Sequence, residues 1–237
     1  MANSYFQFQQ FRIYHDQCAM KITQDACIFG AAITPANAEH ILDIGCGSGI
    51  LSVMLAQRSL AVIQAIDIEE GAINQSNFNI SQSPFNNQFK VIHQDINHFA
   101  KDHQHQFDLI ISNPPYYTDQ DQGKTDTYNK ARHSNASLDF DDLANSVNQL
   151  LSLEGKFWFI LPIYEFEKLL KSLKGKEIYP ERQLLVKHNE QSKNARMIVC
   201  CTRFDKEVKE DSLIVRALDN SYTAEFKDLM KDYYIKF

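Results

Sequence analysis

No stretch of this 237-residue chain comes near the ~20 consecutive apolar residues that a membrane-spanning helix needs. The opening MANSYFQFQQFR also lacks the basic-then-apolar pattern of a signal peptide, so a cytoplasmic protein is the expectation. Cysteine is sparse: Cys18, Cys27, Cys46, Cys200 and Cys201 are odd in number and form no C-x-x-C pair. That predicts neither a disulfide framework nor a metal site. With 8 glycines, 6 prolines and no internal repeat, the chain has no low-complexity tract. Positive charge is in deficit: 24 Lys and Arg against 30 Asp and Glu give −6, which on the sum alone argues against a polyanionic partner. The deficit is uneven, because residues 156–206 hold 11 basic and 6 acidic side chains, a local +5. Those lysines are either solvated helix faces or a surface for an acidic partner.

Hydrophobic residues at 44% and charged residues at 23% are ordinary for a folded domain. Short apolar runs at 41–45, 62–68, 89–96, 107–112, 156–162, 183–188 and 195–204 alternate with helical patterns near 49–58, 70–80, 138–153 and 163–174. Alternation at this spacing predicts a doubly wound α/β fold with a mainly parallel sheet of seven strands. The last two strands are joined only by the polar NEQSKN, so they are expected to pair antiparallel as an edge hairpin. A closing helix is predicted over 222–234, and residues 1–38 read as an extension in front of a core at 39–237.

The first chemical motif is LDIGCGSGILS, 42–52, in which a strand runs through Asp43 into Gly45, Gly47 and Gly49 and then into a helix. Glycines permit tight turning and let a ligand approach main-chain N–H groups at a helix start. A dinucleotide fingerprint would require glycine at position 50, where Ile50 stands. The next strand ends on Asp67, where a carboxylate can accept hydrogen bonds from both hydroxyls of a ribose. The third ends on Asp95, and a lone Asp at a strand end is more often a helix cap or turn residue.

The fourth apolar run ends abruptly in Asn113-Pro114-Pro115-Tyr116. In an open α/β sheet that point lies at the ligand end. An exocyclic amine or a side-chain amide is a poor nucleophile because its lone pair is delocalised. The Asn113 side-chain carbonyl and the Pro114 backbone carbonyl can each accept one of its N–H groups. Both bonds strengthen as the nitrogen becomes tetrahedral and positive, the prolines hold the acceptors rigid, and Tyr116 can stack on a planar substrate. The bland reading of the same residues is a turn.

The glycine loop resembles that of class I S-adenosylmethionine methyltransferases. Taken with QQFRIYHDQCAMKITQDACIFGA (9–31), ISNPPYY and ARHSNASLDFDDL (131–143), it resembles the bacterial tRNA1(Val) adenine-37 N(6)-methyltransferase family from about residue 6 to about residue 205. The chain departs from that family at Gln24-Asp25-Ala26, where the family is richer in glycine.

The resemblance implies S-adenosyl-L-methionine as cofactor, with Asp43, Gly45, Gly47, Gly49, Asp67 and Asp95 around it and Lys21, Asp25 and His15 near its methionine end or the pocket entrance. It implies Asn113, Pro114 and Tyr116 as the catalytic group. Pro115, Tyr117, Arg132 and His133 would face the substrate, the last two from an insertion that is either a lid or an ordinary loop.

The reading is methyl transfer to an adenine amine in a tRNA anticodon loop. The basic candidates for the RNA are Lys171, Lys174, Lys176, Arg182, Lys187, Lys193 and Arg196. No membrane and no metal are expected, and a monomer is favoured. The nearest rival is methylation of a glutamine amide in a protein such as a peptide release factor. A more distant one is a non-catalytic module that binds a nucleotide or S-adenosylmethionine.

Overall fold

A computed structural model describes residues 4–18, 21–115 and 139–237. A small hairpin, β1 (Tyr5–Gln7) and β2 (Arg12–Tyr14), precedes helix α1 (Gln24–Ala32). The core then alternates β3 (His40–Ile44), α2 (Ile50–Ala56), β4 (Val62–Asp67), α3 (Glu70–Ser81), β5 (Phe89–His93), α4 (Ile96–Asp102) and β6 (Phe107–Ser112). After these come α5 (Phe140–Leu150), β7 (Leu151–Pro162), α6 (Ile163–Lys174), β8 (Tyr179–Lys187), β9 (Ala195–Thr202), β10 (Lys209–Ile214) and α7 (Ala224–Met230).

The main sheet has the order β10-β8-β9-β7-β6-β3-β4-β5. Its pairings are parallel except those made by β9, which runs against both β7 and β8. All seven expected strands form, and the expected antiparallel hairpin stands at one end of the sheet. An eighth strand, β10, adds outside it. Its sequence KEDSLI is exposed at its first four positions, as befits an edge, and so gave no apolar signal.

Alternate strand residues feed two apolar layers, as a sheet covered on both faces requires. Leu109 and Ile111 join Ile41, Trp158 and Ile160 under α1, α2, the hairpin and α7. Ile110 joins Leu42, Phe157 and Phe159 under α4, α5 and α6. The N-terminal hairpin is held by the far end of the chain. Gln9 Nε2 donates to the carbonyls of Lys231 and Tyr234, and Phe6 and Phe8 pack against the Tyr234 ring.

Candidate functional site

Order reverses at β3. The chain steps outward from β3 to β4 and β5, then returns to place β6 on the other side of β3. A cleft at the carboxyl ends of β3 and β6 is the expected ligand site of such a sheet. Register brings the motifs to that mouth: Ile44 is paired with Ser112 on one side and with Ile66 on the other. The glycine loop, Asp67 and Asn113 therefore leave adjacent strands at one level. Ser112 Oγ donates to the Ile44 carbonyl at 3.0 Å, fixing β6 to β3 one residue before each motif begins.

The three loop glycines divide into two kinds. All have positive φ (71°, 53° and 76° at Gly45, Gly47 and Gly49), where a side chain is strained. At Gly45 and Gly47 an added Cβ would meet nothing within 4 Å, so open space lies over the loop. At Gly49 it would come 2.7 Å from Ser76 Oγ, so this glycine serves close packing of the loop on α3.

Asp67 is half-buried and anchors the loop: its Oδ2 accepts from Gly47 N at 2.9 Å and its Oδ1 from Glu69 N at 3.0 Å. Each oxygen has a second lone pair left for a hydroxyl. Asp95 caps α4, its Oδ1 accepting from Asn97 N at 3.0 Å and His98 N at 3.1 Å. The cap alternative is thus realised, which leaves Oδ2 for any ligand.

Asp43 corrects the expectation of a direct contact. It is fully buried beneath the loop, with Oδ2 accepting from Ser52 Oγ at 2.7 Å and Oδ1 meeting no hydrogen-bond donor. Burial, opposed by the Ser52 hydrogen bond, pushes its carboxyl up to about 7. The folded chain then keeps this proton to about pH 7, whereas the unfolded chain loses it near the ordinary 3.8. Folded protein binds more protons in that window, so stability present at low pH is lost as pH rises through it. Asp43→Asn is expected to flatten this fall. The melting-temperature difference, variant minus wild type, should grow between pH 4 and 8, and parallel curves would refute the assignment.

Asn113 is half-buried, Pro114 buried and Pro115 exposed. Tyr116, Tyr117, Arg132 and His133 lie outside the described residues. Lys21 is exposed, and Asp25, in the first turn of α1, forms an ion pair with Arg196 at 3.0 Å. Cys18 stands near Asp67. Burial first, then the charges of Asp67, Asp16 and Glu69, push its thiol up to about 11, so it stays protonated. Among the described residues no cluster of His, Cys, Asp and Glu could hold a metal ion.

The basic residues of 168–206 do not form one face. Arg196 is opposite Pro162 and Lys187 opposite Ala195, at the ligand end of the sheet. Helix α6 starts at that end and runs back, so Lys171, Lys174 and Lys176 lie toward the other end, where β8 begins at Tyr179. Arg182 is mid-strand and paired with Asp211 at 3.0 Å. A sequence window mixed the two ends because the chain crosses the sheet twice within it.

Sequence reasoning missed the polar side of α3, where Gln75, Ser76 and Asn79 are all buried. A helix burying amides defeats apolar periodicity, and the excess of Asn and Gln between two strands was the available signal.

Comparison with known proteins bears on this mouth. Residues 19–139 match the family model described as "Methyltransferase small domain". A protein of Phocaeicola vulgatus named tRNA1(Val) (adenine(37)-N6)-methyltransferase is 38% identical, over 99% of each chain. Proteins of the same name from Parabacteroides distasonis and Yersinia pseudotuberculosis are 35% and 34% identical, covering 100% and 98% of this chain and 100% and 92% of theirs. Among solved structures, a predicted O-methyltransferase from Agrobacterium tumefaciens superposes with TM-score 0.69 at 15% identity, over 88% of this chain and 96% of that one. A glycopeptide N-methyltransferase solved with S-adenosyl-L-methionine gives 0.54 at 12%, over 75% and 92%, and at such identities the likeness speaks for the class I methyltransferase fold alone. Identity that runs the length of the chain, added to the domain match, makes this protein a member of the tRNA1(Val) (adenine(37)-N6)-methyltransferase family.

Proposed function

We propose that this chain transfers a methyl group from S-adenosylmethionine to the exocyclic amine of an adenine in a tRNA anticodon loop, adenine-37 of tRNA1(Val), the substrate in its relatives' name. The observation that carries the reading is the register that sets Asn113-Pro114 beside the glycine loop at the mouth of β3 and β6. Fit to the cofactor rests on two features. Open space lies over Gly45 and Gly47, where the loop's main chain is bare to a ligand, and both oxygens of Asp67 can still accept from a ribose diol. The bound cofactor would supply an electrophilic methyl group. The protein's part is to grip the amine: the Asn113 carbonyl and the Pro114 backbone carbonyl accept its two N–H groups, and both bonds tighten as charge develops. Tyr116 completes the catalytic group by stacking on the base, Pro115, Tyr117, Arg132 and His133 are assigned to the substrate side, and Lys21 to the cofactor's methionine end or the entrance.

In this reading residues 1–237 act as one methyltransferase domain, with 1–38 covering the site of the core at 39–237. The protein works as a monomer in the cytoplasm, where its tRNA is. Consistent with that, no helix among the described residues is long and apolar enough to cross a membrane.

RNA approaches from the ligand end. Changing Lys21, Lys187 and Lys193 to Glu should weaken tRNA binding and lower the log–log salt slope by roughly 0.9 for each lysine that meets a phosphate. The matched change at Lys171, Lys174 and Lys176 should leave the slope unaltered. Filter binding at several salt concentrations measures both, and an equal effect from the distal set would overturn this approach.

A further inference from the structure

Helix α3 carries a stripe of three residues one turn apart, Gly71, Gln75 and Asn79, and the segment 14–17, which leaves the end of β2, lies along it. Each member of the stripe engages that segment's main chain. A Cβ at Gly71 would come 2.9 Å from the Gln17 carbonyl oxygen, so glycine there permits close approach. Gln75 Oε1 accepts from Gln17 N at 2.8 Å. Asn79, wholly buried, accepts from Tyr14 N and donates to Tyr14 O, both at 2.8 Å. The second N–H of Asn79 donates at 2.8 Å to the carbonyl of Ser48, inside the glycine loop.

We infer that Asn79 is a positioning residue for the cofactor, tying the N-terminal segment to the glycine loop so that the segment forms one wall of the cofactor cleft at a fixed distance from Asp67. The inference rests on the cofactor reading above. Three of the four hydrogen bonds an Asn side chain can make are used, and they join three separate pieces of chain. An apolar residue would fill this space without setting a register, because packing is non-directional and hydrogen bonds are not. The wall reaches the site, since the loop whose Ser48 carbonyl Asn79 holds is the one whose Gly47 N donates to Asp67. Ordering the wall before binding removes a cost that the cofactor would otherwise bear, which raises affinity without touching the reacting atoms.

The test uses the full chain and S-adenosylhomocysteine as probe. Asn79→Ala, which removes all three bonds, should weaken binding by calorimetry about tenfold, because the wall must then be ordered when the cofactor binds. Amide hydrogen exchange at Tyr14 and Gln17 should quicken in the same variant, while kcat at saturating cofactor stays within about threefold. Because a buried Asn79→Ala can lower stability, Gly71→Ala serves as the second variant. At Gly71, in the first turn of α3, an added Cβ would meet the Gln17 main-chain carbonyl, so that carbonyl must shift and cofactor affinity should fall several-fold, with the melting temperature measured to confirm that the fold stays intact. Affinity unchanged in both variants, with fast exchange over 14–17 and wild-type binding intact, would overturn the inference. Failure of the wild type itself to bind the probe would instead overturn the cofactor reading.

Discussion

Replacing Asn113 with alanine is expected to cut kcat by about 10²- to 10³-fold, the effect of removing one preorganised partner for developing charge. Affinity for S-adenosylhomocysteine should stay within about threefold, because the carbonyl meets the acceptor amine and not the cofactor. Asn113 follows Ser112, which is clamped to β3 through the Ile44 carbonyl, and precedes a buried Pro114, so neither its position nor its backbone is free to drift. An acceptor held there loses little entropy when the amine arrives, and its bond strengthens only as the nitrogen becomes cationic. Single-turnover rates with saturating tRNA, beside calorimetry of the same variant, separate the two quantities. A large loss of cofactor affinity with turnover intact would mean that Asn113 serves the other ligand.

Asp67→Ala should produce the largest loss of cofactor affinity, about 1.5 to 3 kcal/mol if charge-assisted hydrogen bonds to the ribose are lost. The structure adds a second reason, since the same carboxylate holds Gly47 N and Glu69 N, and its removal also loosens the loop. A cofactor product lacking one ribose hydroxyl separates these causes. If Asp67 grips the diol, the variant should discriminate less between the full and the deoxy compound than wild type does, a coupling that a double-mutant cycle reads directly. Equal discrimination by both proteins would confine Asp67 to the loop.

What could be read from the sequence followed burial. Runs such as FDLIIS announce a strand because both faces of a central strand are covered, so consecutive residues such as Leu109, Ile110 and Ile111 are apolar. The glycine loop and Asn113-Pro114-Pro115 were legible because each breaks the local rule for its element. Elements without that contrast stayed hidden. Helix α4, Ile96–Asp102, is too short to show periodicity, and its one signal, the Asp95 cap, was also open to a ligand reading. Asp43 reads as a site acid in any linear view, and only the packing of Ser52 over it shows that its carboxylate is sealed beneath the loop. The stripe Gly71, Gln75 and Asn79 escaped because its partner segment lies over fifty residues away in sequence, as the separations of 58 and 65 show.

Methyl transfer to adenine-37 is tested by incubating the protein with methyl-labelled S-adenosylmethionine and a tRNA1(Val) transcript, then digesting the RNA and identifying the labelled nucleoside. Label is expected in N(6)-methyladenosine, lost when adenine-37 is replaced by guanine and lost with Asn113→Ala. Label absent from the tRNA and present on a glutamine amide of a peptide release factor in the parallel incubation would contradict it.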